Sequence, residues 1–203
     1  DLTGIERLRN LRSLYLGDHN ITDIAPLAEL HKLRDLNIRG NSIADLGPLA
    51  GLTGLGVLRA GYNDISDLSP LGGLTSLYTL DLSGNQIAGV EPLAALEDLR
   101  ELYIRDASIT DVTPLSGLSD LYYLDLSYNS QLSDISALAG LLGLYSLTLT
   151  DNAITDIYPL VQNAQSGGLG SGDYLHLSRN PLSSTSTTVY IPQLRQYGVT
   201  VIY

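Results

Sequence analysis

The stretch LRDLNIRGNSIADLGPLAGLTG, Leu33 to Gly54, decides the reading of this chain. Moved by 22 residues in either direction, its leucines and isoleucines fall on leucines or isoleucines, with Ala60 the one exception. A fixed period of this length marks a solenoid, in which each turn buries its apolar face only against its neighbours. The inward side chains of a single repeat do not offset the backbone entropy lost in ordering it, so stacking is obligatory.

Working outward, Asp1 to Leu8 matches the second half of a repeat, and residues 1–10 form a partial first repeat. Full repeats begin at Leu11, Leu33, Leu55, Leu77 and Leu99; a sixth at Leu121 carries one extra residue, and a seventh starts at Leu144. The eighth is displaced by an insertion and resumes with Leu175, Leu177, Asn180 and Leu182. The pattern within a repeat is LxxLxLxxNxIxDIxPLxxL. Its LxL step has period two and predicts a short strand with both leucines inward, and successive strands are expected to stack as one parallel sheet.

The Asn column (Asn41, Asn63, Asn85, Asn129, Asn152, Asn180) sits where the chain leaves the strand. A carboxamide donates and accepts at once, so a buried Asn can satisfy backbone groups within and between coils. His19 and Ala107 interrupt the column, and their turns are expected to be less well tied. Asp-Ile/Leu-x-Pro-Leu follows, as in Asp23 to Leu27 and Asp45 to Leu49. Asp suits an N-cap and proline the first turn, which with so few residues predicts one 3₁₀ turn. Glycines at 51, 73, 117 and 140 are expected to help the chain return to the next strand.

The insertion, Val161 to Asp173, reads as a loop; its GLGSG core lacks the Lys-Ser/Thr and crossover unit of a phosphate-binding loop. Residues 183–203 are expected to close the solenoid. Tyr190, Leu194 and Tyr197 are spaced for one helical face, Pro192 predicts a kink or late start, Gly198 a stop, and Val199 to Tyr203 a final strand.

These residues resemble the leucine-rich repeat family from Asp1 to about Leu182. The spacing and the D-I-x-P-L half look most like bacterial internalin-type repeats, and GLGSGD, NPLS, YIPQLR and YGVTV are similar to the closing caps of bacterial extracellular repeat proteins. The resemblance implies a right-handed α/β solenoid of about eight coils with a parallel concave sheet and mostly 3₁₀ turns on the convex side. It also implies protein recognition at a cell surface or outside the cell. The chain starts at Asp1 in mid-pattern, as a fragment with a missing upstream segment or N-terminal cap would.

Composition narrows the function. No apolar run reaches the roughly 20 residues of a membrane span. The net charge of −11 argues against nucleic acid and anionic lipid as partners. With no cysteine, disulfides and thiolate sites are excluded. His19, His31 and His176 fall at unrelated repeat positions, and no HExxH or GxSxG pattern is present. Asp81 and Asp125 share a column two repeats apart, roughly 10 Å, too far for a retaining glycosidase pair. The recurrent Asp after the Ile is explained by capping without an ion. The expectation is therefore a non-enzymatic protein with no cofactor or metal.

The strand period sends five positions outward: Arg12, Ser13, Tyr15, Gly17 and Asp18 in the first full repeat. Through eight repeats these columns collect seven of the ten Arg and nine of the 13 Tyr, but only eight of the 22 acids. The concave face thus carries about −1 and the remainder about −10. Arg and Tyr are the residues that anchor protein interfaces. The densest group is Tyr78, Arg100, Tyr122 and Tyr145 in one column, with Tyr103, Arg105 and Tyr123 beside them. These seven are the candidate binding residues for a protein partner. The competing explanation is that Tyr replaces the absent Phe and Trp in a strand-forming position. Two rival functions share the architecture. One is head-to-tail self-association into a filament through exposed sheet edges, the other carbohydrate binding with Tyr stacking beside Asp81 and Asp125.

Overall fold

The computed structural model describes residues 1–87 and 89–203. Nine three-residue strands form one parallel sheet in strictly sequential order. They are β1 (Ser13–Tyr15), β2 (Asp35–Asn37), β3 (Val57–Arg59), β4 (Thr79–Asp81), β5 (Glu101–Tyr103), β6 (Tyr123–Asp125), β7 (Ser146–Thr148), β8 (Tyr174–His176) and β9 (Thr200–Ile202). The register repeats the sequence period: Leu14 lies beside Leu36, Leu36 beside Leu58, and Leu58 beside Leu80. Behind the sheet runs a continuous leucine and isoleucine core, most of whose side chains are fully buried from Ile24 to Leu177.

Opposite the strands, each coil closes with the expected 3₁₀ turn, from Ile5–Arg7 through Ala25–Leu27 and Gly47–Leu49 to Ser136–Gly140. Where an Asp precedes the turn, it acts one residue earlier than an N-cap; before Glu91–Ala95 its place is taken by Gly89. Asp23, Asp45 and Asp111 accept the backbone N–H two residues on, at Ala25, Gly47 and Thr113. That N–H is an orphan of the first turn, so the physical role is the expected one at a shifted position. Bonds from the Ser69 and Thr113 groups hold the Asp67 and Asp111 carboxyls below the usual carboxylate range.

The Asn column is a ladder between coils. The Asn63 amide donates to the carbonyls of Ala60 in its own coil and Ile38 in the preceding one, while its Oδ1 accepts the N–H of Ile43. Asn41, Asn85, Asn129 and Asn180 repeat this arrangement. The extra residue of the sixth repeat is absorbed here. Leu132 takes the buried isoleucine place, and Asn152 Oδ1 accepts from Asn129 N–H instead.

The residue before the Asn column is left-handed in every full coil: Asp18, Gly40, Tyr62, Gly84, Asp106, Tyr128, Asp151 and Arg179 have φ between 49° and 67°. The glycines at 51, 73, 117 and 140 are not among the left-handed residues, and Gly73 and Gly117 face open space. Their backbone freedom is not what turns the coil.

The insertion is not all loop. Helix α1 (Tyr158–Gln165) replaces the eighth 3₁₀ turn and buries Leu160, Val161 and Ala164. Fully buried Asn163 fixes it by donating to Leu138 and Leu141 carbonyls and accepting from Leu169 N–H. Residues 166–173 are irregular. Pro192 marks a late start of the α-helix rather than a break inside it. A π-helical stretch, Ser186–Tyr190, leads into α2 (Ile191–Gln196), with Pro192 in its first turn. Gly198, at φ 92°, ends α2 in a Schellman arrangement, Val199 N–H to Leu194 O and Gly198 N–H to Arg195 O. Leu194 is buried and Tyr190 half-buried, but Tyr197 is exposed, because the helix has ended before it.

The ladder predicts opposite effects of two substitutions. Asn63→Ala strands buried backbone groups and is expected to cost at least about 2–4 kcal/mol. Ala107→Asn supplies a carboxamide that Ile87 N–H now lacks and is expected to add about 0.5–1.5 kcal/mol. Denaturant unfolding of both variants checks this; equal stabilities would refute the ladder.

Candidate functional site

The outward columns meet on the open face of the sheet, and strand entry explains how the first column joins them. At the entries of β2 to β7 two successive N–H groups share one carbonyl of the preceding coil: Tyr122 and Tyr123 both donate to Arg100 O, and Tyr145 and Ser146 both to Tyr122 O. Consecutive residues there do not alternate as in a regular ladder. The side chain of Tyr122 consequently reaches the second column, where its hydroxyl donates to Glu101 Oε1. Tyr145 meets Tyr174 edge-on, with ring centroids 5.8 Å apart.

The seven sequence candidates fall into three groups. Tyr103 and Tyr123 pack together, centroids 4.9 Å apart, half-buried in the middle of the face. Burial, with the Glu101 carboxylate second, pushes the Tyr103 hydroxyl up to about 12, and burial likewise raises Tyr123. The hydrogen bond to Glu101 raises Tyr122. Tyr78, Tyr122 and Tyr145 stand exposed along the entry column, together with Arg100. Tyr78 lies over Gly56, where a Cβ would come within 2.6 Å of its ring. Arg105 is committed internally, 3.4 Å from the buried Asp125 and 5.5 Å over the Tyr128 ring.

Four residues join these that residue-type counting did not single out. Glu101 receives the Tyr122, Tyr103 and Thr79 hydroxyls, so it is the hub of the central cluster. Tyr174 extends the exposed row beyond Tyr145. Tyr62 and Tyr128 occupy the left-handed column, each beneath an arginine, with Arg39 4.2 Å from the Tyr62 ring centre. The sequence signal for that column is weak, since Asp, Gly, Tyr and Arg all fill it.

Most of the charge on this face is neutralised in place. Arg59 pairs with Asp35 at 3.1 Å, Arg39 with Asp81 at 3.3 Å and Arg179 with Asp151 at 3.2 Å. Asp81 and Asp125 also accept the N–H groups of Ser83 and Ser127, so both carboxylates are engaged within the protein rather than free for a sugar hydroxyl. Such exposed pairs add little stability. Their effect is to fix side chains across coils before any ligand arrives.

A family model for Leucine Rich repeats (2 copies) matches residues 9–51, 53–95 and 97–140. Among solved structures, internalin C2 from Listeria monocytogenes is 32% identical, with a TM-score of 0.85 over 97% of this chain and 84% of that one. Internalin F from the same organism is 30% identical, with a TM-score of 0.70 over 100% of this chain and 70% of its own. A leucine-rich repeat protein from Leptospira interrogans is 26% identical, with a TM-score of 0.87, and this chain covers 50% of it. The curated proteins contain no match.

The central cluster predicts an alkaline signature. A tyrosine raised to about 12 in the fold contributes stability below its unfolded value of about 10, and that contribution disappears as the pH rises from the lower value to the higher. Unfolding free energies measured across this window should fall less steeply for Tyr103→Phe than for the parent protein. Identical pH dependence would rule out the environment described for Tyr103.

Proposed function

The chain belongs to the leucine-rich repeat family, with internalin-type repeats, and from that premise we propose that its concave sheet face is a non-enzymatic recognition surface for a protein partner. Leucine-rich repeats are generally protein-interaction modules, and the relatives of known structure include bacterial internalins. The observation that carries the reading is the row of exposed tyrosines Tyr78, Tyr122, Tyr145 and Tyr174, with Arg100 among them and the Tyr103–Tyr123 pair behind it.

Tyrosine brings a large rigid area at low entropic cost, and arginine and tyrosine dominate interface hot spots. Tyr78, Arg100, Tyr103, Arg105, Tyr122, Tyr123 and Tyr145 form the proposed site. Their roles divide. The exposed row supplies contact area, while Tyr103, Tyr123 and Arg105 hold the surface in shape. The alternative that Tyr only replaces missing aromatics does not account for this arrangement, since Tyr122 and Tyr145 are about half exposed and add little to the core. No helix among the described residues is long and apolar enough to cross a membrane. By analogy with the internalin neighbours, we place the protein on a bacterial surface or outside the cell.

The test is differential capture from a surface-protein extract with three baits: the parent protein, Tyr122→Ala/Tyr145→Ala, and the exposed-turn control Glu97→Ala/Asp98→Ala. A true partner is held by the parent and the control and lost from the tyrosine variant. The expected loss in affinity is roughly 100-fold or more if each tyrosine is a hot spot. A partner bound equally by all three baits would sink the site.

A further inference from the structure

Between Arg59, Thr79, Asp81, Glu101 and Tyr103 lies a depression of about 220 Å³ in the sheet face. A water's share of liquid volume is about 30 Å³, so the depression has room for one extended side chain. Its charges are unbalanced in a specific way. Arg59 is paired with Asp35, and Asp81 with Arg39. Glu101 forms no ion pair among the described residues and is satisfied by neutral hydroxyls alone. The five charged groups therefore leave one negative charge, and it sits on Glu101 beside the ring of Tyr103.

We propose that this depression receives the ammonium group of a lysine side chain carried by the protein partner. The inference rests on the recognition surface described above and gives it a chemical specificity. A half-buried carboxylate next to aromatic rings attracts a cation by charge and by ring quadrupole together. The net charge of −11 favours approach of a basic surface at long range.

The geometry selects ammonium over guanidinium. Glu101 Oε1 already accepts from Tyr122, and Oε2 accepts two long bonds, from Thr79 at 3.4 Å and Tyr103 at 3.5 Å. An arginine fork needs both oxygens in one plane, whereas an ammonium needs a single free lone pair and can displace the long bonds.

The experiment is an NMR titration of the whole chain, labelled at tyrosine and threonine, with Nα-acetyl-lysine methylamide. The norleucine and arginine counterparts serve as neutral and guanidinium probes. The lysine probe should shift Tyr103 and Thr79 saturably, with norleucine at least roughly tenfold weaker and arginine measurably weaker. Glu101→Gln should weaken the lysine probe roughly tenfold, while Asp120→Asn, an equal change in net charge on an exposed turn, should leave it unaltered. No saturable shift, equal binding of norleucine or arginine, or equal losses in the two variants would overturn the proposal. Failure here with concave-dependent capture intact rejects the lysine pocket alone. A functioning pocket without any concave-dependent partner rejects the recognition reading instead.

Discussion

Each asparagine carboxamide of the ladder belongs to two coils at once, and the rest of the structure hangs on that sharing. Leucine burial drives the coils together, but apolar contact is non-directional and tolerates sliding. The Asn63 amide does not slide: its donors need Ile38 and Ala60 carbonyls, and its oxygen needs Ile43 N–H. A displaced coil would leave these groups buried and unpaired, at about 1–3 kcal/mol each. The ladder therefore converts generic stacking into one register. It also shows how the fold takes an irregular repeat, since Asn152 changes its donor to Asn129 N–H and the strands stay aligned.

That register has a functional consequence. Adjacent strands stand about 4.8 Å apart, so a diagonal pair such as Tyr103 and Tyr123 packs its rings at a 35° tilt only because the coils cannot shift. The shared carbonyl at the entries of β2 to β7 then tips the first column onto the same face, where Tyr122 reaches Glu101. Recognition chemistry in this molecule is thus built between coils rather than within one. Arginines pair with acids one or two coils away, which leaves the face organised in advance and nearly neutral within an acidic protein.

The repeat made much of this legible in advance. Leucine positions specified the parallel sheet, Asn the turn, and Asp-x-x-Pro the 3₁₀ segment, because each is one residue type answering one backbone need. Residues answering a need jointly were harder to see. The left-handed position is filled by Asp, Gly, Tyr and Arg, so no single type announces it. Helix α1 begins with the ordinary Pro-Leu turn and departs only because Val161 and Ala164 continue the apolar face and Asn163 finds buried carbonyls. Column counting found Tyr103, Tyr122 and Tyr123 but passed over Glu101, whose importance comes from three hydroxyls converging on it from different coils.

The central claim is that the tyrosine row on the sheet face is where a partner sits. Covalent footprinting of tyrosine side chains, with and without the captured partner, tests it most directly because exposed tyrosines occur on both sides of the molecule. Protection of Tyr78, Tyr122, Tyr145 and Tyr174, with Tyr158 and Tyr197 still reactive, is the predicted pattern. Protection of Tyr158 and Tyr197 with the sheet-face row left reactive would contradict the account.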